Sequence, residues 1–132
     1  MSAARLLRRL GRSGTTAAEF ALLIPALMTL IFGVIQVGIT FFNYTSLQNA
    51  IGEGAREATL FPRRTDTQIR DRITAAAFNL DAAKLGTPTI VRGTEGGQDF
   101  VDITVTYNGT LNFGVVVFKG LTLTQTRRAY LP

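Results

Sequence analysis

A long run of apolar residues near the amino terminus dominates the pattern of the chain. From Phe20 to Phe42, 23 residues carry no charged side chain. As an α-helix the run is about 35 Å long, at about 1.5 Å per residue, which spans a hydrocarbon core of about 30 Å. A secretory signal has a shorter core, about 7–15 residues, followed by small residues. A buried core helix of this length would need a larger protein around it. The run therefore predicts a membrane-spanning helix.

Beyond the run the apolar positions become periodic. They recur every three or four residues and form one helical stripe, which consists of Leu47, Ala50, Ile51, Gly54, Ala55 and Ala58. Small residues four apart within the stripe allow another element to approach closely. Pro62 ends the helix, because the residue before a proline avoids the helical region. The pattern predicts a transmembrane and stalk helix over residues 15–61, with the span at about 20–42, and an outer domain over residues 62–132.

The outer domain begins with a second helix. Thr65-Asp66-Thr67-Gln68 has the T-x-x-Q pattern of a capping box. The apolar positions that follow share one helical face and comprise Ile69, Ile73, Ala76 and Leu80. We therefore expect a helix that starts after Thr65 and packs against the rest of the domain.

From residue 87 the period changes to two, which is typical of strands. Residues 89–92 and 100–107 are predicted strands separated by a loop at 93–97, and the second alternates strictly between apolar and polar positions. Asn108-Gly109 is a strong hairpin signal, and residues 111–118 then form a candidate return strand. Residues 121–130 form the last strand. The fold class is therefore α+β: a long helix, a second helix and a small antiparallel sheet of three or four strands.

The charge of the chain is unevenly distributed. The formal net charge is +5, but four of the 14 basic residues lie in the first 12 positions, at Arg5, Arg8, Arg9 and Arg12. Without residues 1–14, a basic leader, 10 basic and 9 acidic side chains remain, a net charge of +1. A nucleic-acid partner is disfavoured, because such proteins carry a basic patch on the folded part. Arginines before the span place the amino terminus in the cytoplasm and the outer domain in the periplasm.

Candidate catalytic chemistry is scarce in the sequence. The chain has no Cys and no His, which excludes a cysteine nucleophile and a His-dependent triad. Asp99 and Asp102 lie three apart on a predicted strand, so they point to opposite faces. We expect no enzyme activity, no metal site, no cofactor and no small-molecule substrate.

Glu19 is a charged residue whose placement at a membrane costs free energy. It stands at the edge of the apolar run, and a carboxylate in a transmembrane helix costs about 2.5–3.5 kcal/mol even on lenient scales. One interpretation is that it reaches the headgroups or is protonated. The other requires a cut after Gly14: the new amine on Thr15 lies four residues before Glu19, on the same helical face.

Pro25 lies inside the predicted span. It removes one backbone donor and clashes with the preceding turn, so a kink is expected near residues 21–25.

Three stretches resemble the TadE-like pseudopilins (minor pilins) of the tight-adherence, or Flp pilus, system. The first is Gly14 to Pro25, with glycine, four residues and then Glu-Phe-Ala-Leu-Leu-Ile-Pro. The other two are residues 47–58 and the Leu121-Thr122-Leu123-Thr124 run that leads to Arg127-Arg128. The resemblance covers the amino-terminal half well and the carboxyl-terminal half loosely.

The resemblance implies a protein of the bacterial inner membrane whose leader is removed by an aspartic prepilin peptidase between Gly14 and Thr15. It implies that Glu19, followed by Phe20, acts in assembly by meeting an incoming amine. The partners would be the peptidase, other pilins or pseudopilins and the inner-membrane assembly proteins, with incorporation into an extracellular adhesive pilus as one outcome. The resemblance also implies that residues 109–119 form a connection more than a full strand.

Some features of the chain differ from related pilin families and argue against membership of those families. Thr15 replaces the phenylalanine usual in type IVa and type II secretion pilins, and Phe20 stands where Flp-type proteins often have tyrosine. The chain is also much longer than a major Flp pilin. The alternative function is an uncleaved single-pass adaptor whose periplasmic domain binds a protein or an envelope partner.

Overall fold

The computed structural model describes the backbone of residues 3–114 and 116–132, and the side chains of residues 16–114 and 116–132. The elements are α1 (Ala3–Ala58), α2 (Asp66–Ala76), β1 (Thr89–Glu95), β2 (Gln98–Asn112) and β3 (Val117–Tyr130). Within these residues the sheet has three antiparallel strands in the order β1-β2-β3. The α+β fold predicted from the sequence is confirmed, with three strands of the three or four expected.

Helix α1 is continuous through the apolar run and the stripe. It ends at Ala58, and the N–H groups of Thr59 and Leu60 donate to the carbonyls of Arg56 and Glu57 as the last turn tightens. The predicted end at residue 61 was three residues late. The carboxyl-terminal part of this helix carries the folded domain.

The predicted stripe is the docking face of α1. Leu47, Ala50 and Ile51 are buried, as are Ala55 and Ala58. The absence of a side chain at Gly54 lets α2 approach: a Cβ there would lie 2.7 Å from Ile73 Cδ1. The periodicity of the stripe thus identified the surface of the stalk that meets the domain.

Helix α2 has the cap that its sequence predicts. The Thr65 hydroxyl accepts from the Gln68 N–H, and the Gln68 side chain accepts from the Thr65 N–H. This reciprocal pair satisfies two backbone donors at the helix start. Ile69 and Ile73 are fully buried on the face toward α1.

Strand β2 supplies the other wall of the core. Its inward positions are Val101, Ile103, Val105 and Tyr107, all of them buried. The alternation seen in the sequence is therefore the alternation between core and solvent. Leu80, Ala129 and Leu131 complete the core.

The hairpin predicted at Asn108-Gly109 is wrong. Strand β2 continues to Asn112, and its reversal lies between Asn112 and Val117. Asn108 is held in the strand because its N–H donates to the Lys84 carbonyl at 2.9 Å. Gly114, with φ of +82°, supplies the left-handed residue of the actual turn.

Three other expectations about the strands are corrected. Residues 111–118 are not one return strand, because their first part belongs to β2 and their last part to β3. The expected loop at 93–97 shrinks to Gly96-Gly97, both with positive φ, between β1 and β2. The expected break at Lys119-Gly120 is a bulge: Gly109 pairs with Leu121 and Thr110 with Lys119, so Gly120 is the extra residue.

Candidate functional site: the exposed part of helix α1

The residues of the predicted cleavage and assembly site lie along one stretch of α1. Gly14 and Thr15 belong to the helical backbone, but their side chains fall outside the described residues. Glu19 and Phe20 are exposed on the helix. Of this set only Glu19 and Phe20 have described side chains, and these face the surroundings of the helix rather than the sheet or α2.

The chain offers Glu19 no cation on its carboxyl-terminal side within reach. The next basic residue in the sequence is Arg56, about 55 Å further along the same helix at about 1.5 Å per residue. Among the residues whose side chains are described, Glu19 makes no ion pair or side-chain hydrogen bond. A compensating charge must come from residues 1–15 or from another molecule.

Pro25 lies inside α1 without interrupting its helical assignment. One turn later the Thr29 hydroxyl donates to the Pro25 carbonyl at 2.8 Å. The kink expected at this proline stays a prediction.

The apolar run is exposed along its length. Helix α1 contains one segment, Thr16–Ala58, long and apolar enough to span a membrane, with a mean hydropathy of 2.3 in its most apolar window. The large side chains that it presents to the outside are Phe20, Leu22, Leu23, Ile24, Leu27, Met28, Leu30, Ile31, Phe32, Val34, Ile35, Val37, Ile39, Phe41 and Phe42. Lipid or other apolar helices are the surroundings that suit such a surface.

The β2–β3 hairpin reaches this exposed run. The ring of Phe113 lies 3.5 Å from the position of a Cβ on Gly33, and Phe32 lies 3.0 Å from that position on Gly114. Sequence reasoning missed this contact, because it placed the chain reversal at residue 108. The signal was present in Phe113-Gly114, an aromatic residue followed by the glycine that the turn requires.

Two open grooves separate the hairpin from α1. The groove nearer the domain has a volume of about 320 Å³ and is lined by Val37, Thr40, Phe41, Tyr44, Leu111, Leu121 and Leu123. The groove nearer the amino terminus has about 590 Å³ and is lined by Phe113 together with α1 residues. Their walls are almost entirely apolar, which does not suit a polar substrate.

The opposite end of the sheet carries a charged cluster. Arg128 donates to both carboxylate oxygens of Asp102, at 2.7 and 2.8 Å, and to Glu95 at 2.6 Å, and lies over the Phe100 ring at 4.0 Å. The hydrogen bonds from Arg128 hold the pKa of Asp102 below its ordinary value, and those to Asp102 raise the pKa of Arg128. These groups keep their charges near neutral pH, so the cluster joins strands and does not transfer protons.

A second ion pair in the same region behaves similarly. Arg63 and Thr94 both donate to Asp99, and the Arg63 hydrogen bond is the main cause of the lowered pKa of Asp99. Over the residues that the structure describes, no group of three or more Asp or Glu side chains is placed to hold a metal ion.

Comparison with known proteins gives one match. Residues 14–56, which are 43 of the 132 residues, match the family described as TadE-like protein. No curated protein and no solved structure matches the chain. The match covers the first stretch that carried the resemblance, Gly14 to Pro25, and the second as far as Arg56. The last two residues of the second stretch and the whole stretch at 121–128 lie outside the match. Over this amino-terminal third the chain is a match to the TadE-like family, consistent with a TadE-like protein of a pilus system.

Proposed function

We propose that this chain is a pseudopilin, or minor pilin, that takes part in the assembly of an adhesive Flp-type pilus. The match over residues 14–56 supports a place in the pilus system. The exposed apolar run of α1 supports a membrane-anchored protein whose helix later packs among other helices. The role is structural rather than catalytic.

A prepilin peptidase cuts the chain between Gly14 and Thr15. The cut removes the four arginines of the leader and leaves a positively charged amine on Thr15. Residues four apart on a helix are neighbours, so this amine lies beside Glu19 of its own chain. In an assembling filament it also comes within reach of Glu19 of an adjacent subunit.

The observation that carries the proposal is that no cation follows Glu19 along the apolar run. Glu19 is exposed at the edge of an apolar helix, and the next basic residue is Arg56. A transmembrane carboxylate is costly unless it is neutralised. The amine created by the cut is the cation nearest in sequence that remains after the leader is removed.

The charge distribution supports one orientation. The leader arginines stay in the cytoplasm, α1 crosses the inner membrane once, and the domain formed by α2 and the sheet lies in the periplasm. The partners are the peptidase, other pilins or pseudopilins and the inner-membrane assembly proteins.

The assembly role is tested by Glu19→Gln, which removes the charge and keeps the shape of the side chain. We expect normal amounts of membrane-bound protein and loss of surface pili, counted by electron microscopy of the native host. Glu53→Gln is the matched control on the same helix: its ion pair with Arg72 is exposed and worth little, so piliation should persist. Normal piliation in Glu19→Gln would contradict the pairing mechanism.

Processing is tested separately with Gly14→Leu, which places a bulky side chain before the cut. The variant should keep its leader and fail to support pili. If the wild-type protein also keeps residues 1–14 and the variant supports pili as well as the wild type does, the chain is an uncleaved anchored adaptor instead.

A further inference from the structure

We propose that the tip of the β2–β3 hairpin, residues 110–114 and 116–120, is a second membrane-contacting element. The hairpin tip lies beside α1 in the lipid leaflet on the side of the folded domain, with Phe113 and Gly114 among the acyl chains and Lys119 at the headgroups. This inference depends on the membrane anchoring of α1 that is part of the proposed function.

The contact with α1 sets the depth of the hairpin tip. Phe113 and Gly114 meet α1 at Gly33 and Phe32. A span that begins at Phe20 fills a core of about 30 Å with about 20 residues and so ends near residue 39. Gly33 lies about six residues, or roughly 9 Å, inside that end. A hairpin tip held against Gly33 therefore lies below the headgroups.

The membrane cannot simply shift to leave the tip in water. A span of about 20 residues that stopped before Phe32 would have to begin near residue 12. Glu19 would then lie about seven residues inside the hydrocarbon, about 10 Å deep, where a carboxylate is costly. The charge-free run, which extends from Phe20 to Gly52, allows a shift in the other direction only, and that shift buries the tip further.

The surface of the hairpin tip suits lipid. Val116, Val117 and Phe118 are 50%, 51% and 58% exposed, and the Phe118 ring packs edge-on against Phe113 with centroids 5.8 Å apart. Between Ile103 and Thr126 the sequence has a single charged residue, Lys119. A lysine next to an apolar surface extends its amine toward phosphate headgroups.

The backbone of the hairpin tip sets a limit to its depth. Strands β2 and β3 stay paired up to Asn112 and Val117, and the turn is closed by Phe113 N–H to Val116 carbonyl and by Gly114 N–H to the Asn112 side chain. Strand β1 covers β2 only between Gln98 and Thr104, so the outer edge of the tip still needs water or headgroups. A depth of roughly 9 Å at Phe113 corresponds to about three strand residues at about 3.3 Å each. The paired residues Thr110 and Lys119 therefore lie at the headgroup boundary, where the open edge reaches water and headgroups.

Lipid is favoured over a second protein chain as the occupant of this surface. The hairpin tip is joined to a helix that already lies in the membrane, so lipid surrounds it without any further association step. Contact with another subunit would require that subunit to displace the lipid.

The test uses the absence of cysteine from the chain. Single-cysteine variants of the full chain, Val117→Cys and Val116→Cys in the tip, are labelled with an environment-sensitive fluorophore and placed in phosphatidylethanolamine–phosphatidylglycerol vesicles. Val34→Cys, at the matched depth on α1, reports anchoring, and Gln98→Cys, at the far end of β2, reports the aqueous end of the sheet. Quenching by nitroxide groups on the acyl chains is compared with quenching by aqueous iodide.

We expect acyl-chain quenching at residues 116, 117 and 34 to be several-fold greater than at residue 98. Quenching at residue 34 but not at either tip residue would overturn this inference and leave the proposed anchoring intact. No quenching at residue 34 would instead contradict the anchoring itself. Tip residues that are shielded from both quenchers would show a protein contact, which also overturns the lipid assignment.

Discussion

The two parts of helix α1 share apolar residue types but differ in their surroundings. In the part that precedes residue 43, large side chains such as Val34, 68% exposed, point outward on every face. In the part from Leu47 to Ala58, the apolar side chains form one stripe that is buried against α2 and the sheet. The same residue types are therefore exposed in one part, which is long and apolar enough to span a membrane, and form a protein core in the other.

The arrangement of polar residues makes the difference. The first part lacks charged side chains between Glu19 and Glu53, so no face favours water. In the second part Glu53 pairs with Arg72 and Glu57 with Arg64 along the borders of the stripe. A uniform apolar run predicts lipid contact, whereas a stripe with charged borders predicts a domain.

The sheet repeats this division. Its end near Glu95 and Arg128 is joined by ion pairs, and the hairpin tip at the other end has Lys119 as its only charge. Because the tip lies next to the uncharged part of α1, both uncharged surfaces are on the same side of the molecule.

The largest expected difference between the two parts is in the effect of replacing a buried and an exposed isoleucine. Ile103→Ala leaves a cavity at a fully buried site and should reduce the free energy of unfolding by about 2–5 kcal/mol. Ile35→Ala removes the same atoms from α1 at a side chain that is 49% exposed, and should change domain stability by less than about 0.5 kcal/mol. Thermal unfolding of the full chain in detergent micelles, followed by near-ultraviolet circular dichroism, measures both. Equal losses would contradict the division of α1.

A pair of glycines gives a smaller expected difference. Gly54→Ala places a methyl group against Ile73; overpacking costs about 1–3 kcal/mol, offset by up to about 1 kcal/mol of helix propensity. Gly38→Ala meets no atom within 4 Å and should not lower domain stability. The same unfolding measurement compares them, and a Gly54→Ala domain as stable as the wild type would show that α2 does not need the close approach.

The smallest expected effect is on the stability of the domain at acidic pH. The folded pKa of Asp102 is lowered by hydrogen bonds from Arg128, so its contribution to stability is present above the unfolded pKa of about 3.9 and is lost as pH falls through the lower folded value. Asp102→Asn should flatten the decrease in melting temperature between about pH 5 and pH 2. Lys119→Gln, which removes a charge but no carboxylate, should leave the decrease unchanged. An unaltered acid profile in Asp102→Asn would exclude this ion pair as a source of stability.

Much of the fold could be predicted because local chemistry agrees with the tertiary structure. The stripe from Leu47 to Ala58, the Thr65–Gln68 capping box and the alternation of β2 are each expressed over a few adjacent residues. The candidate site was found from Glu19 because a lone carboxylate beside an apolar run is visible in sequence.

The errors have a common physical cause. The turn preference of Asn108-Gly109 is local, but a bond from the Asn108 N–H to the Lys84 carbonyl and pairing with β3 keep this dipeptide extended. The conformation of this dipeptide is set by partners that are distant in sequence, and the turn propensities of single residues do not include such partners. The contact between the hairpin tip and α1 could not be predicted for the same reason.

The central claim is that residues 1–14 are removed and that the amine of Thr15 then serves Glu19. Intact mass and amino-terminal fragment analysis of the protein purified from its native host test it most directly. We expect a chain that begins at Thr15 in cells with the prepilin peptidase and a full-length chain in cells without it. A protein that keeps residues 1–14 in cells with an active peptidase would contradict the claim.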